Sequence, residues 1–270
     1  ITLMLGYPKI GPALAGDPSV IGESSVLDIG IPEGLDSPVH SQLITAEHAA
    51  HLLPERPVDG HKGTFGSTLI VGGSKDYLGA VTMATDAATR SGVGLTFVAT
   101  PQPAYNRIAG NIPEAMYRPL ASTETGDLVP TDAARTVIDL AERSTSLVIG
   151  PGLGSNSSAT EFVSIVLSQI QSNQPIVLDA DALNILAKTY KWWERFENPA
   201  ILTPHPGEMS RLLDIPTEQV QSNRQSTALE AAQKFNKIIV LKGAATLIAS
   251  PDGRLNVSPW VNSGLAKGGS

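Results

Sequence analysis

Two carboxylates spaced two residues apart, Asp179 and Asp181, follow the apolar run 176–178. At a strand-to-helix junction Asp181 is placed to cap the helix, whereas Asp179 is placed to orient a hydroxyl or a hydrated magnesium ion. The run 200–202 is followed by Thr203-Pro204-His205-Pro206-Gly207-Glu208, in which two prolines restrict a histidine just before a helix that begins near Gly207. A lone histidine is more often a hydrogen-bonded structural residue, but one fixed between prolines at a strand end is also suited to a ligand contact. Glu208 suits a helix N-terminus or a magnesium ion. The run 238–241 ends in Lys242-Gly243-Ala244-Ala245-Thr246, a cation followed by small residues. That pattern fits a nucleotide, or a lysine that only carries its charge from a buried strand to water.

Glycines mark the other strand ends. The run 67–71 leads into Gly72-Gly73-Ser74-Lys75-Asp76-Tyr77-Leu78-Gly79-Ala80, and the run 147–149 into Gly150-Pro151-Gly152-Leu153-Gly154. Small residues let a backbone approach a ligand, and helix amides favour an anion. Neither loop meets Gly-x-Gly-x-x-Gly, which argues against a conventional Rossmann dehydrogenase, and no Gly-x4-Gly-Lys-Ser/Thr occurs, so there is no Walker loop. The segment ending Gly268-Gly269-Ser270 stacks successive glycine amides, which suits an anion hole.

The elements that must position these residues follow from periodicity. Strand patterns at 67–71, 95–99, 147–149, 176–178, 200–202 and 238–241 alternate with helical spacing at 80–91, 131–142, 157–171, 182–188 and 217–235. Runs at 246–249 and 255–258 flank Pro251-Asp252-Gly253 and read as a closing hairpin. The expected fold is an α/β/α sandwich whose mostly parallel sheet ends in an antiparallel hairpin, with aliphatic strands such as 238–241 calling for helices on both faces. In such sheets ligands collect beyond the carboxyl ends of the strands, where the residues above lie. Before residue 35 the chain offers strand-like runs at its start and at 25–28, then a Pro- and Gly-containing linker, so a boundary is expected between 1–34 and 35–270.

Composition narrows the functions. Length suits one large domain, at a prior of ~150 residues per domain, and 41% apolar residues against 17% charged indicate a globular core. Acidic residues outnumber basic ones 26 to 19, for a formal charge of −7, and no Lys/Arg cluster stands out, which argues against nucleic acid. With no cysteine, thiol redox chemistry and disulfides are absent, as fits a reducing cytoplasm. No run approaches the ~18 apolar residues of a membrane span, and the start lacks a signal-peptide pattern.

Taken in order, these motifs, together with His61-Lys62-Gly63-Thr64-Phe65-Gly66, resemble the NAD(P)H-hydrate dehydratases of the ribokinase-like superfamily from about residue 62 onward. Residues 1–34, through Gly6-Tyr7-Pro8-Lys9 and Asp28-Ile29-Gly30-Ile31-Pro32, resemble the end of the epimerase domain that precedes the dehydratase in bifunctional members. The resemblance implies a ribokinase-like fold and ADP- or ATP-dependent dehydration of the S epimer of NADHX or NADPHX, with Mg2+. It implies that Ala80, Gly152, Gly154 and His205 contact the hydrated dinucleotide, and that Lys242, Gly243, Ala244, Ala245 and Thr246 hold the adenine nucleotide. It further implies Asp179 and Glu208 for magnesium, Gly268, Gly269 and Ser270 for the anion hole, and commonly a homo-oligomer. The family's catalytic base is an Asp in a Gly-Gly-Thr/Ser-Gly-Asp run. It is expected just past Ser270, so residues 1–270 alone are expected to be inactive or nearly so. The competing expectations are a ribokinase-like small-molecule kinase and a nucleotide-binding fragment without turnover.

Overall fold

β-Branched residues and leucine dominate the central strands of this chain, and alanine-containing amphipathic stretches build most of its longer helices. The computed structural model describes residues 1–15, 18–32, 34–35, 39–260, 262 and 264. A small N-terminal unit comes first, with strand β1 (Thr2–Leu5), helices α1 (Ile10–Ala15) and α2 (Pro18–Ile21), and strand β2 (Ser24–Leu27), which pairs in parallel with β1. Strand β3 (Ser41–Leu43) and helix α3 (Ala46–Leu52) follow, the helix capped by the Thr45 side chain.

The main alternation then runs β4 (Ser67–Val71), α4 (Gly79–Arg90), β5 (Leu95–Pro101), α5 (Gln102–Ile108) and β6 (Ala115–Leu120). It continues through α6 (Pro130–Ala141), β7 (Ser146–Ile149), α7 (Ser157–Gln169), β8 (Ile176–Leu178) and α8 (Asp181–Ala187). Strand β9 (Ala200–Leu202), helices α9 (Pro206–Leu213), α10 (Thr217–Ser222) and α11 (Arg224–Phe235), and strands β10 (Ile238–Leu241), β11 (Leu247–Ala249) and β12 (Leu255–Val257) complete it.

Ten strands form one sheet in the order β3-β12-β11-β10-β9-β8-β7-β4-β5-β6. All neighbours are parallel except β10 with β11 and β11 with β12. The hairpin is therefore present but does not end the sheet, because β3 pairs in parallel outside β12. Periodicity alone missed β3 and α3, which are short, and also α5 and β6. Pro119 breaks the β6 pattern, yet is tolerated because β6 is the other edge strand, where a missing ladder donor costs little.

The larger core lies on one face, where Leu147, Ile149, Ile176, Leu178, Leu202, Ile239 and Leu241 meet α6 to α9 and α11. On the opposite face Ile70 and Val98 pack with Val81 of α4 and Ile108 of α5. Helices thus stand on both faces, as expected. The second face is covered only near β4 to β6: Val148, Val177, Ile201, Ile238 and Ile248 remain half-buried among the described residues. The long helix expected over 217–235 is two helices, broken at Asn223, whose φ of −131° and ψ of 41° leave the helical region.

Candidate active site at the carboxyl edge of the sheet

Strands β4, β7, β8, β9 and β10 are consecutive and parallel, so the segments following all five emerge along one edge. Those segments are the glycine loops, the Asp179 and His205 motifs and the lysine turn singled out above. Short bonds stitch them together. The Gly73 N–H donates to the Pro151 carbonyl at 2.8 Å, and the Lys242 N–H to the Pro204 carbonyl at 2.9 Å. Gly150 has φ +123°, and a Cβ there would stand 2.0 Å from the Asp179 carbonyl oxygen, so only glycine lets β7 and β8 end this close together.

Lys242 is the hub. Its ammonium donates to Asp179 Oδ1 at 3.0 Å and lies 3.8 Å from Glu208 Oε2. The Thr203 hydroxyl donates to the same Asp179 oxygen at 2.7 Å, which fixes the carboxylate from the neighbouring strand. Glu208, only 5% exposed, accepts the His205 N–H at 2.7 Å through Oε2, while Oε1 stands 3.5 Å from His205 Nε2. His205 caps α9: its Nδ1 accepts from the N–H groups of Gly207 at 3.0 Å and Glu208 at 3.4 Å, a capping box with histidine in the usual serine or threonine place. Both readings of this histidine therefore meet in one residue, because the imidazole is structurally engaged and its side chain is still 51% exposed.

Asp181 does not cap its helix. Ala180 holds the N-cap position, and Asp181 Oδ2 instead accepts the Gly154 N–H at 2.9 Å, tying the glycine turn after β7 to the start of α8. Ala180 adopts φ 51° and ψ −113°, a conformation sparsely populated by residues with a Cβ and one that clusters at functional sites. Ala80 lies in the first turn of α4, whose N-cap Leu78 provides no side-chain bond, so the early amides of this helix have no side-chain cap at that position and are suited to an anion. The structure brings Lys242, Asp179, Glu208 and His205 into one network, while Gly154 is held separately by Asp181. Ala80 and Gly152 sit on the same edge without bonding into it, and Gly268, Gly269 and Ser270 lie outside the described residues.

For a magnesium ion the two carboxylates differ. Glu208 is committed to His205 and Lys242, whereas Asp179 Oδ2 has no hydrogen-bond partner among the described residues. No group of three or more His, Asp or Glu able to hold a metal occurs among those residues. The donor set thus fits an ion arriving on phosphate oxygens better than one caged by protein. A cavity of about 680 Å3, lined by Tyr7, Ile10, Leu35, Leu43 and Val257 among others, opens beside the β3 and β12 side of the sheet rather than on this network. It offers an apolar wall with a single charged group, Lys9, so the strand-end edge is the better site on chemical grounds. Residues outside the sequence motifs also contribute, notably Arg211, whose Nε donates to Asn184 at 2.9 Å, and Arg224 on α11.

Comparison with known proteins agrees with the fold and with the family resemblance of the sequence. A family model described as NAD(P)H-hydrate dehydratase matches residues 68–270. The ADP-dependent (S)-NAD(P)H-hydrate dehydratase of Bacillus subtilis is 38% identical over 226 residues, covering 84% of this chain and 75% of that protein. Its crystal structure, obtained with ATP/Mg2+, superposes with a TM-score of 0.71 at 37% identity over 84% of this chain and 76% of that one. A bifunctional NAD(P)H-hydrate repair enzyme of Moorella thermoacetica is 37% identical over 271 residues, which is all of this chain and 51% of that protein. The chain spans about half the length of the bifunctional relatives that it matches end to end. Its ribokinase-like α/β architecture is likewise shared with a ribokinase-like superfamily protein of Enterococcus faecalis, at a TM-score of 0.72, 27% identity and coverage of 86% of this chain and 76% of that one. On the family match and the identity to the B. subtilis enzyme, this chain belongs to the NAD(P)H-hydrate dehydratase family.

Proposed function

We propose that this chain belongs to an enzyme that converts the S epimer of NADHX or NADPHX to NADH or NADPH at the expense of ADP or ATP, with this chain supplying the dinucleotide and nucleotide contacts and the Asp of the expected Gly-Gly-Thr/Ser-Gly-Asp run supplying the base. The observation that carries the reading is the Lys242 bridge, which joins the strand end bearing Asp179 to the strand end bearing His205 and Glu208. Two sites of opposite chemistry, one of small residues and helix amides and one built on a lysine turn, then share an edge. The ADP-dependent dehydratases of B. subtilis and Neisseria meningitidis, each 38% identical, support the same chemistry.

In this reading the hydroxyl on the hydrated ring attacks the terminal phosphorus of the nucleotide. A new P–O bond forms, the bond to the departing nucleotide breaks, and the hydroxyl proton passes to a base. The ring-nitrogen lone pair then expels phosphate, and loss of a proton from the adjacent ring carbon restores the dihydronicotinamide. Phosphorylation turns a poor leaving group into a good one, and the protein supplies positioning and charge stabilisation. Ala80, Gly152, Gly154 and His205 contact the dinucleotide. Residues 242–246 hold the adenine nucleotide, and Lys242 stabilises negative charge between the two. Mg2+ would screen the phosphate oxygens, with Asp179 Oδ2 the atom available to hold it directly or through water. Glu208 keeps His205 and Lys242 in place. Gly268, Gly269 and Ser270 form the anion hole.

Residues 1–34 belong, in the same proposal, to the end of an epimerase domain and carry no epimerase activity. Support comes from coverage: the bifunctional relative matches all of the chain, whereas the B. subtilis dehydratase matches 84%. No helix among the described residues is long and apolar enough to cross a membrane, and we place the protein in the cytoplasm as a homo-oligomer. Separation of products after incubation with S hydrate and ADP tests the reaction. Equal amounts of dihydronicotinamide dinucleotide, AMP and phosphate are expected. A phosphorylated hydrate that accumulates without reduced cofactor would make the protein a kinase instead.

A further inference from the structure

The turn at 242–246 takes its shape from a residue far away in sequence. Arg224, at the start of α11, donates through Nη1 to the Lys242 carbonyl and through Nη2 to the carbonyls of Leu241 and Ala245, each at 3.3 Å and 17 to 21 residues distant. One planar guanidinium can serve several carbonyls at once, which an ammonium on a single carbon cannot do with the same geometry. Its Nε is buried with no partner among the described residues, and burial pushes the Arg224 pKa down from its ordinary value. The turn is fitted closely around the cation. Gly243 has φ +141°, and a Cβ there would stand 2.7 Å from Nη1, while Ala245 has φ +54° and is fully buried.

The consequence lies on the opposite side of the turn. In a trans peptide the carbonyl and the following N–H point in opposite directions. The Leu241 carbonyl faces Arg224, and the Lys242 N–H accordingly points away, to the Pro204 carbonyl at 2.9 Å. By the same geometry the inward carbonyls of Lys242 and Ala245 turn the N–H groups of Gly243 and Thr246 outward. Neither of those N–H groups has a protein acceptor among the described residues, and Gly243 and Ala244 are exposed.

We propose that Arg224 is a positioning residue for the nucleotide: by drawing three carbonyls inward, it presents the Gly243 and Thr246 N–H groups as a preformed pair of donors for acceptor atoms of ADP or ATP. The inference rests on the nucleotide reading of residues 242–246. It adds that the selectivity of this turn is set from α11, by a side chain that never touches the ligand.

Calorimetric titration of the protein with ADP, and separately with NADPH, tests it in wild type, Arg224→Lys and Arg224→Gln. The ADP Kd should rise about tenfold or more in both variants, equivalent to ~1.4 kcal/mol, while the NADPH Kd stays within about twofold. An unchanged ADP Kd in folded Arg224→Lys, or equal weakening toward both ligands, overturns the inference. Should the variants fold poorly, amide exchange in the wild type decides: ADP should slow exchange at Gly243 and Thr246, and no slowing at either overturns the proposal. A wild type that binds no ADP at all would overturn the nucleotide reading itself, and this inference with it.

Discussion

Lys242 joins both halves of the site, so its removal separates binding from folding most cleanly. Asp179 is also held by Thr203, and Glu208 by the His205 backbone, so Lys242→Met is expected to leave the fold intact. Its nucleotide-dependent rate should fall by roughly 100-fold, the scale of losing one preorganised charge at a reacting phosphate. Steady-state kinetics with thermal unfolding as the control would show it, and a rate within about threefold of wild type would remove Lys242 from the chemistry. Gly150→Ala should do the reverse. It puts a methyl against the Asp179 carbonyl and costs about 3 kcal/mol or more of stability, measurable by urea unfolding. Most of this site was legible in the sequence because its residues follow directly on apolar runs. Arg224 was not, because its partners are brought near only by the return of β10 beside α11, and no local spacing encodes that.

Helix ends and strand ends carry the next level of control. Asp214 closes α9 in the left-handed region, with φ 55° and ψ 50°, where a Cβ is disfavoured. Asp214→Gly is therefore expected to stabilise the protein by about 0.5–1 kcal/mol in urea unfolding, and a loss of stability would show that the carboxylate matters more than the backbone. At the opposite end of the sheet from the site, Lys237 is buried and donates to the Asn198 carbonyl at 2.9 Å. Burial pushes its pKa down, against a smaller upward pull from Glu197. The unfolded chain then keeps the lysine proton to higher pH than the folded one. Stability from this residue rises as pH climbs from the lowered folded value toward the ordinary lysine range near ~10.4. In Lys237→Met that alkaline gain should vanish, as urea midpoints at about pH 8 and about pH 10 would reveal; the same rise in both proteins would exclude Lys237 as its source. Strands β4, β8, β9 and β10 were readable to the residue, since short runs rich in Ile, Val and Leu end abruptly at Gly, Pro or polar residues. The break at Asn223 was hidden because the helical spacing of apolar residues resumes on its far side.

At the scale of the whole molecule, the ten-stranded sheet works as a shelf: five parallel strands aim their chemistry at one edge, and the α6 to α9 and α11 layer buries the face that fixes their register. The other face keeps an apolar groove of about 650 Å3 over Val148, Val177, Ile201 and Ile238. Apolar surface of this kind takes up hydrophobic dyes. Val177→Lys should lower that dye fluorescence, and an unchanged signal would mean that the groove is covered. Helices on both faces were anticipated from aliphatic strands, but how far they extend depends on tertiary packing that periodicity does not report. The central claim is that nucleotide and hydrated dinucleotide meet on the carboxyl edge of the sheet and that the pair yields reduced cofactor. Absorbance at 340 nm, followed with purified S hydrate in the presence and absence of ADP or ATP in protein that carries the expected Gly-Asp, tests it most directly. A rise that requires both ligands and is lost in Lys242→Met is the predicted result; no rise with either nucleotide, or a rise without any, would contradict it.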